Sequence, residues 1–313
     1  MIKTVGLSKK YGDFWAVRDL SLNLEAGEIY GFLGPNGAGK TTTILMILSI
    51  LRPQKGEIFL FGNQIKGCSR EVRARIGVVS EKQYLYPEMT MREYLEFFGE
   101  LYRVKGSMKR IERLSEQIKL DGVLDKRLGT FSRGMQQKVG FVRALLHEPD
   151  LLILDEPVSG LDPMGIRQTR ELIIQENKRG KTVFISSHLL SEVEKLCHRV
   201  GIINHGQLVA EDRMDNLVRR LSEEIELEVE LTEENTCLNQ ALNDLAFIRD
   251  FSVDGRFLQV RMRTNQDYRK DLVQFLISQG HVPVGIRTKP MSLEDAFISI
   301  TTENISFLTR TDE

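Results

Sequence analysis

The sequence predicts two domains, an α/β domain with a largely parallel sheet and then a small α+β domain. Three observations carry that reading. Short apolar runs suited to buried strands alternate with helical segments through the first two thirds of the chain. A glycine-rich turn, Gly34-Pro35-Asn36-Gly37-Ala38-Gly39-Lys40-Thr41, lies between one such strand and one such helix. Near residue 222 the character changes to SEEIELEVELTEEN, in which acidic and apolar residues alternate with the period of a strand. At 313 residues the chain exceeds one typical domain, so the boundary is placed there, giving domains 1–221 and 222–313.

Taken in order, strand-like segments open the chain and recur over Glu28 to Leu33, and a helix follows from about Gly39. Glu57 to Phe61 reads as a strand after the turn signals Pro53 and Gly56. Residues 90–120 read as helical, with Thr90 as cap, Glu93 at the capping-box position and apolar residues at helical spacing. Leu151 to Leu154 is a short apolar run ending in Asp155, the mark of a buried parallel strand; Thr182 to Ser186 and Val200 to Ile203 are alike. Beyond residue 222 the expected elements are helix 235–245, strands near 248–253 and 256–263, helix 266–279, strand 282–288 and helix 292–302. That βαββαβ order with one added helix suggests a ferredoxin-like module. Ile225, Leu227, Val229 and Leu231 face one way and Glu226, Glu228 and Glu230 the other, which predicts one covered face and one wet, acidic face.

Composition narrows the function classes. Forty-three basic residues against 44 acidic ones give a formal charge of −1, so no electrostatic argument for nucleic-acid binding exists and none is expected. Cys68, Cys197 and Cys237 are widely spaced, with no CxxC pair or Cys/His metal spacing, and read as reduced cytosolic thiols. The N-terminal MIKTVGLSKKYGDF lacks a signal-peptide apolar stretch, and the longest apolar run, near Ile44 to Leu51, is too short to span a membrane. Any membrane role is therefore expected to come through a partner.

The glycine-rich turn matches GxxxxGK[ST] in the strand-to-helix context that the motif requires. Its glycines let backbone N–H groups close around phosphate oxygens at a helix N-terminus, within a cradle that runs from Gly34 through Pro35 and Asn36 to Thr42. Lys40 is expected to reach the β- and γ-phosphates of ATP or GTP and the Thr41 hydroxyl to hold Mg²⁺. At the end of the strand 151–154, Asp155 suits a Mg²⁺ water shell, and the adjacent Glu156 suits a base that polarises the attacking water.

Phe131-Ser132-Arg133-Gly134-Met135-Gln136-Gln137 resembles the LSGGQ signature of ABC ATPases; it departs at Phe131, Arg133 and Met135 and keeps Ser132, Gly134 and Gln136. Ser159-Gly160-Leu161-Asp162 resembles the family's D-loop, His188 its switch histidine, and Tyr11 the aromatic that stacks on adenine. The other histidines, His147, His198, His205 and His281, read as surface or structural. The resemblance covers roughly residues 2–220, with a helical subdomain over about 82–150, and all motifs stand in the family's order. It implies an ATP-hydrolysing subunit that dimerises head to tail, each ATP clamped between one subunit's Lys40 loop and the other's Ser132 and Gly134, with Gln136 and Asp162 also expected at the nucleotide. Homodimer and heterodimer with a related ATPase both remain open. The short motor with a C-terminal appendage resembles exporter-type subunits encoded apart from their transmembrane permeases, which implies a cytoplasmic protein held peripherally on the membrane.

One departure has chemical weight. Where the family carries a glutamine after Ile76-Gly77, this chain has Glu81, expected near the metal and the reacting water; Gln83, two residues on, would point elsewhere in an extended segment. The following Tyr84-Leu85-Tyr86-Pro87 segment suits either a permease groove or local core. Two other readings compete. A soluble ABC ATPase acting on a non-transport macromolecule would carry two motors or a coiled-coil insertion, and here there is one Lys40-type loop and no heptad stretch. A nucleotide-binding module without turnover would not need both Glu156 and His188.

Overall fold

A computed structural model describes residues 1–67, 69–217, 224–233, 241–242, 245–263 and 267–290. It divides into two compact units, Met1–Asp212 and Arg213–Glu313. The first opens with the hairpin β1 (Ile2–Tyr11) and β2 (Phe14–Leu24), followed by β3 (Ile29–Leu33), α1 (Lys40–Ile47), β4 (Lys55–Leu60), β5 (Asn63–Gln64) and the short α2 (Arg70–Arg73). Next come β6 (Ile76–Val79), α3 (Met91–Leu101), α4 (Ser107–Gln117), α5 (Arg133–Leu145), β7 (Leu151–Asp155) and α6 (Pro163–Lys178). The unit closes with β8 (Thr182–Ser187), α7 (Leu190–Glu194), β9 (Arg199–Asn204) and β10 (Gln207–Arg213).

Every residue of β3, β7 and β8 is buried, as the unbroken apolar runs require of strands covered on both faces. They sit inside a six-stranded sheet ordered β10-β9-β3-β8-β7-β6, with β9, β3, β8, β7 and β6 pairing in parallel. A second, antiparallel sheet is ordered β2-β1-β4-β5 and takes in the predicted strand near Glu57. One core joins the sheets across α1, with Leu20, Leu22, Tyr30, Phe32, Ile44, Met46, Ile58 and Phe184 in the same cluster. Tyr30 stacks on Phe184 at 5.8 Å between ring centroids. Burial of side chains this large contributes about 1.5–3 kcal/mol each.

The stretch predicted as helical over 90–120 forms two helices. Arg103 and Gly106 adopt left-handed backbone conformations between α3 and α4, which breaks the run of helical hydrogen bonds. Upstream, the capping box forms reciprocally: Glu93 N–H donates to Thr90 Oγ1 (3.2 Å) and Thr90 N–H donates to Glu93 Oε2 (2.8 Å). The strand β10 escapes the sequence reading because the apolar run of QLVAEDR is only three residues long before it turns charged.

In the second unit β11 (Glu224–Leu231), β12 (Ile248–Asp254), β13 (Phe257–Arg263), α8 (Arg269–Ser278) and β14 (Pro283–Pro290) are described. The strands form an antiparallel sheet ordered β12-β13-β11-β14. Leu227, Val229 and Leu231 pack with Leu258, Val260, Leu272 and Leu276 in one buried cluster, as the alternation predicts. The opposite face is not the acidic surface expected. Register sets Glu226 against Arg261, and Glu228 against Arg287, so the acidic column runs between basic neighbours. Cross-strand pairs of opposite charge contribute roughly 0.2–1 kcal/mol, which a lone strand cannot reveal. Of the expected helix 235–245, residues 241–242 are helical and Leu245 is not; its other residues and the expected helix 292–302 lie outside the described residues.

Candidate active site

Four neighbouring parallel strands deliver the predicted residues to one edge of the sheet. β3 runs into the glycine-rich turn, β8 ends at Ser187 before His188, β7 ends at Asp155 before Glu156, and β6 leads to Glu81. In open α/β sheets such a carboxyl edge is where ligands bind.

Gly39 caps α1 with φ of 107°, and a Cβ there would strike the Ala16 carbonyl of β2; only glycine fits both constraints. Beyond it the free N–H groups and positive end of α1 face the turn. Pro35, Asn36 and Gly37 are exposed, whereas Ala38 is buried and serves packing. Lys40 is buried, and its ammonium donates to the carbonyls of Gly34 (2.7 Å) and Pro35 (3.3 Å). The same ammonium stands 3.3 Å from Glu156 Oε1.

Asp155 and Thr41 meet where a cation would bridge them: Thr41 Oγ1 donates to Asp155 Oδ2 at 3.1 Å, and Ser186 Oγ donates to Asp155 Oδ1 at 2.5 Å. Among the described residues no three His, Cys, Asp or Glu side chains form a metal-holding group. One carboxylate and one hydroxyl with room for phosphate oxygens is, however, a donor set that Mg²⁺ uses, because it keeps its waters and rarely occupies an all-protein cage.

Glu156 has φ of 48°, a left-handed backbone that costs a residue with a Cβ about 1–3 kcal/mol and recurs at working sites. Its N–H donates to Ser186 O (3.1 Å), and its Oε2 contacts His188 Nδ1 at 2.8 Å. The other oxygen, Oε1, is buried without a hydrogen bond; its contact with Lys40 is an ion contact that lacks hydrogen-bond alignment. A carboxylate steered by one cation and one imidazole, with one oxygen free of hydrogen bonds, has the chemistry of a general base. His188 is 40% exposed at its side chain, with Nδ1 committed to Glu156 and its other edge toward solvent.

The remaining predicted residues lie around this cluster. Tyr11 sits at the tip of the β1–β2 hairpin, 50% exposed, opposite Phe14; β2 touches Gly39 through Ala16, so the hairpin carrying the ring packs on the cradle. Ser132 caps α5, its Oγ accepting from Met135 N–H, and Gln136 donates its amide to Phe131 O. Asp162 caps α6, its Oδ1 accepting from Gly165 N–H at 2.8 Å. Thr42 is half-buried. Ser132, Gly134, Gln136 and Asp162 make no contact with the Lys40 cluster of their own chain among the described residues. Glu81 is exposed and likewise outside that cluster, while Gln83 turns to Ser80 O and Gln137 beneath Gly140. Sequence reasoning missed Ser186, which holds both Asp155 and the Glu156 backbone; its signal was a hydroxyl at the end of an otherwise apolar strand. His198 and His147 serve the fold: His198 Nδ1 accepts from Ile29 N–H, and His147 stacks on Tyr102.

Comparison with known proteins agrees with this geometry. Residues 17–159 match the family described as ABC transporter. The bacitracin transport ATP-binding protein BcrA of Bacillus licheniformis is 39% identical, over 96% of this chain and 97% of its own length. The Nod factor export ATP-binding protein I of Burkholderia lata is 34% identical, over 94% of this chain and 95% of its own. A dimeric post-hydrolysis structure of an ATP-binding cassette bound to ADP and Pi is similar with a TM-score of 0.63 and 25% identity, covering 68% of this chain and 99% of that one.

Proposed function

This chain belongs to the ABC transporter ATP-binding proteins, and from that premise we propose how its residues run the ATP cycle and what they drive. It is an ATP-binding, ATP-hydrolysing transporter subunit. The observation that carries the mechanism is the buried Glu156 carboxylate, its Oε1 beside the Lys40 ammonium without a hydrogen bond and its Oε2 against His188. Lys40 faces its fixed charge to the β- and γ-phosphates and Tyr11 stacks on the base. Glu156 takes the proton of a water that attacks the γ-phosphorus as the bond to ADP breaks. His188 orients Glu156 through Oε2. Thr41 and Asp155 would hold Mg²⁺, which neutralises charge on the phosphate oxygens when bound. Glu81 adds a negative charge at the β6 exit, one strand from Asp155, and tunes the coupling of hydrolysis to movement.

Two copies close head to tail as a homodimer, each Ser132, Gly134 and Gln136 completing the partner's ATP site. Support comes from the exposed cap of α5, which finds no phosphate site in its own chain, and from the dimeric relative. Mixing a Lys40→Ala chain with a Ser132→Arg chain should restore one intact site per mixed dimer and recover hydrolysis; no recovery at any ratio rejects the arrangement.

The substrate moves outward through a separate permease, as the names of the relatives suggest for them. Among the described residues no helix is long and apolar enough to cross a membrane. The permease docks on the exposed aromatic segment, where Tyr84 is 83% and Tyr86 54% exposed, holding the subunit on the cytoplasmic face. The second unit we read as ferredoxin-like, from the order β12-β13-β11-β14 with α8 between the last two strands, beginning near residue 222 and modulating closure.

A further inference from the structure

Arg133 is the one charged departure within the signature, and its surroundings give it a task. It is the first helical residue of α5, whose opening turn carries no acidic side chain, so the guanidinium stands at the positive helix end without a counter-charge there. Among the described residues it makes no ion pair. It reaches instead to the turn after Glu156, where Nη2 donates to Ser159 Oγ at 3.4 Å. A Cβ added to Gly160, at φ of 70°, would lie 2.6 Å from Nη1, 2.7 Å from Cζ and 2.9 Å from Nε. Three guanidinium atoms at nearly one distance mean that its plane lies flat on the bare face of the glycine. The turn beneath is short and internally bonded, Ser159 N–H donating to Glu156 O at 3.1 Å and Leu161 N–H to Val158 O at 3.2 Å.

We propose that Arg133 is a positioning residue that pins the Ser132–Gly134 turn onto Ser159–Gly160 of the same subunit. The surface offered to the partner's ATP and the turn that begins at Glu156 then move as one piece. This rests on the composite ATP site proposed above. A flat guanidinium over a residue without a side chain is a contact that only arginine, with its planar fork, and only glycine can form together. Lysine would keep the charge and lose the plane.

The test uses full-length Glu156→Gln protein, expected to accumulate the ATP dimer, and reads by gel filtration the Mg-ATP concentration giving half-maximal dimer. Arg133→Ala should raise that concentration by about fivefold, the scale of one net hydrogen bond. Ser159→Ala should raise it less, and the double variant should match Arg133→Ala alone, since coupled partners are not additive. Arg133→Lys should behave as Arg133→Ala. Binding of a fluorescent ATP analogue to dilute, monomeric protein should stay unchanged throughout, because the Lys40 cradle is untouched. Additive effects, full function in Arg133→Lys, or no shift in Arg133→Ala while the parent dimerises would overturn the pin alone. A parent that never dimerises would overturn the composite site and the pin with it.

Discussion

Replacing Glu156 by Gln separates chemistry from architecture at this site. The amide keeps the shape of the carboxylate, so the left-handed backbone at 156 and its N–H bond to Ser186 O remain. Lys40 loses its ion contact of 3.3 Å, but the ammonium keeps the carbonyls of Gly34 (2.7 Å) and Pro35 (3.3 Å) as acceptors, which soften the loss of its counter-charge. The folding cost should therefore be on the order of 1 kcal/mol rather than the ~3–5 kcal/mol of an abandoned buried ion. The amide cannot take a proton, and losing a general base slows reactions by about 10²–10⁴, or roughly 2.7–5.4 kcal/mol of barrier. ATP should bind at least as tightly, because a carboxylate no longer faces the triphosphate. Single-turnover phosphate release and gel filtration with Mg-ATP are the assays, with slow release and an accumulated dimer expected. Hydrolysis within threefold of the parent, together with a monomer under Mg-ATP, would refute Glu156 as the base.

Lys40→Ala should weaken ATP binding by about tenfold to a hundredfold, since charge-assisted contacts to the phosphates vanish; a nucleotide titration checks it, and unchanged affinity refutes the cradle. His147 should make stability pH-dependent. Burial holds its pKa below the ordinary 6.5, with Arg110 and Lys181 adding to the shift against the Ile76 carbonyl bond, and Nδ1 is buried without a partner. The unfolded chain binds the proton first, so stability is complete above pH 6.5 and falls as pH drops toward the lower folded value. Thermal melts should show this slope, and His147→Asn should flatten it at some cost in baseline Tm. A chain ending near Leu221 should still bind ATP through Lys40 but show altered dimerisation; identical dimer formation and transport would reject a modulating role for the second unit. Loss of folding would place the boundary elsewhere.

Strand and loop identity at the site was legible because the chemistry is local. Gly34–Thr41 needs specific residues at fixed spacing beside a strand, and buried parallel strands announce themselves as unbroken apolar runs such as LLILD and TVFIS. The capping box at Thr90 and Glu93 was readable for the same reason, as both partners lie within four residues. The sequence likewise determined the order of the motifs, and with it the family.

Tertiary structure alone decided what those motifs hold on to. Ser186 supports Asp155 across 31 residues, and His188 meets Glu156 across 32, because β7 and β8 are neighbours whose parallel register sets Asp155 beside Ser186. Arg133 finds Ser159 and Gly160 only once α5 and the turn before α6 are brought together. The acidic column of β11 becomes a mixed-charge face only when β13 and β14 bring Arg261 and Arg287 opposite. In each case a residue type and spacing write the local backbone, whereas the partner of a side chain depends on strand order and register, which arise from burying all the strands at once.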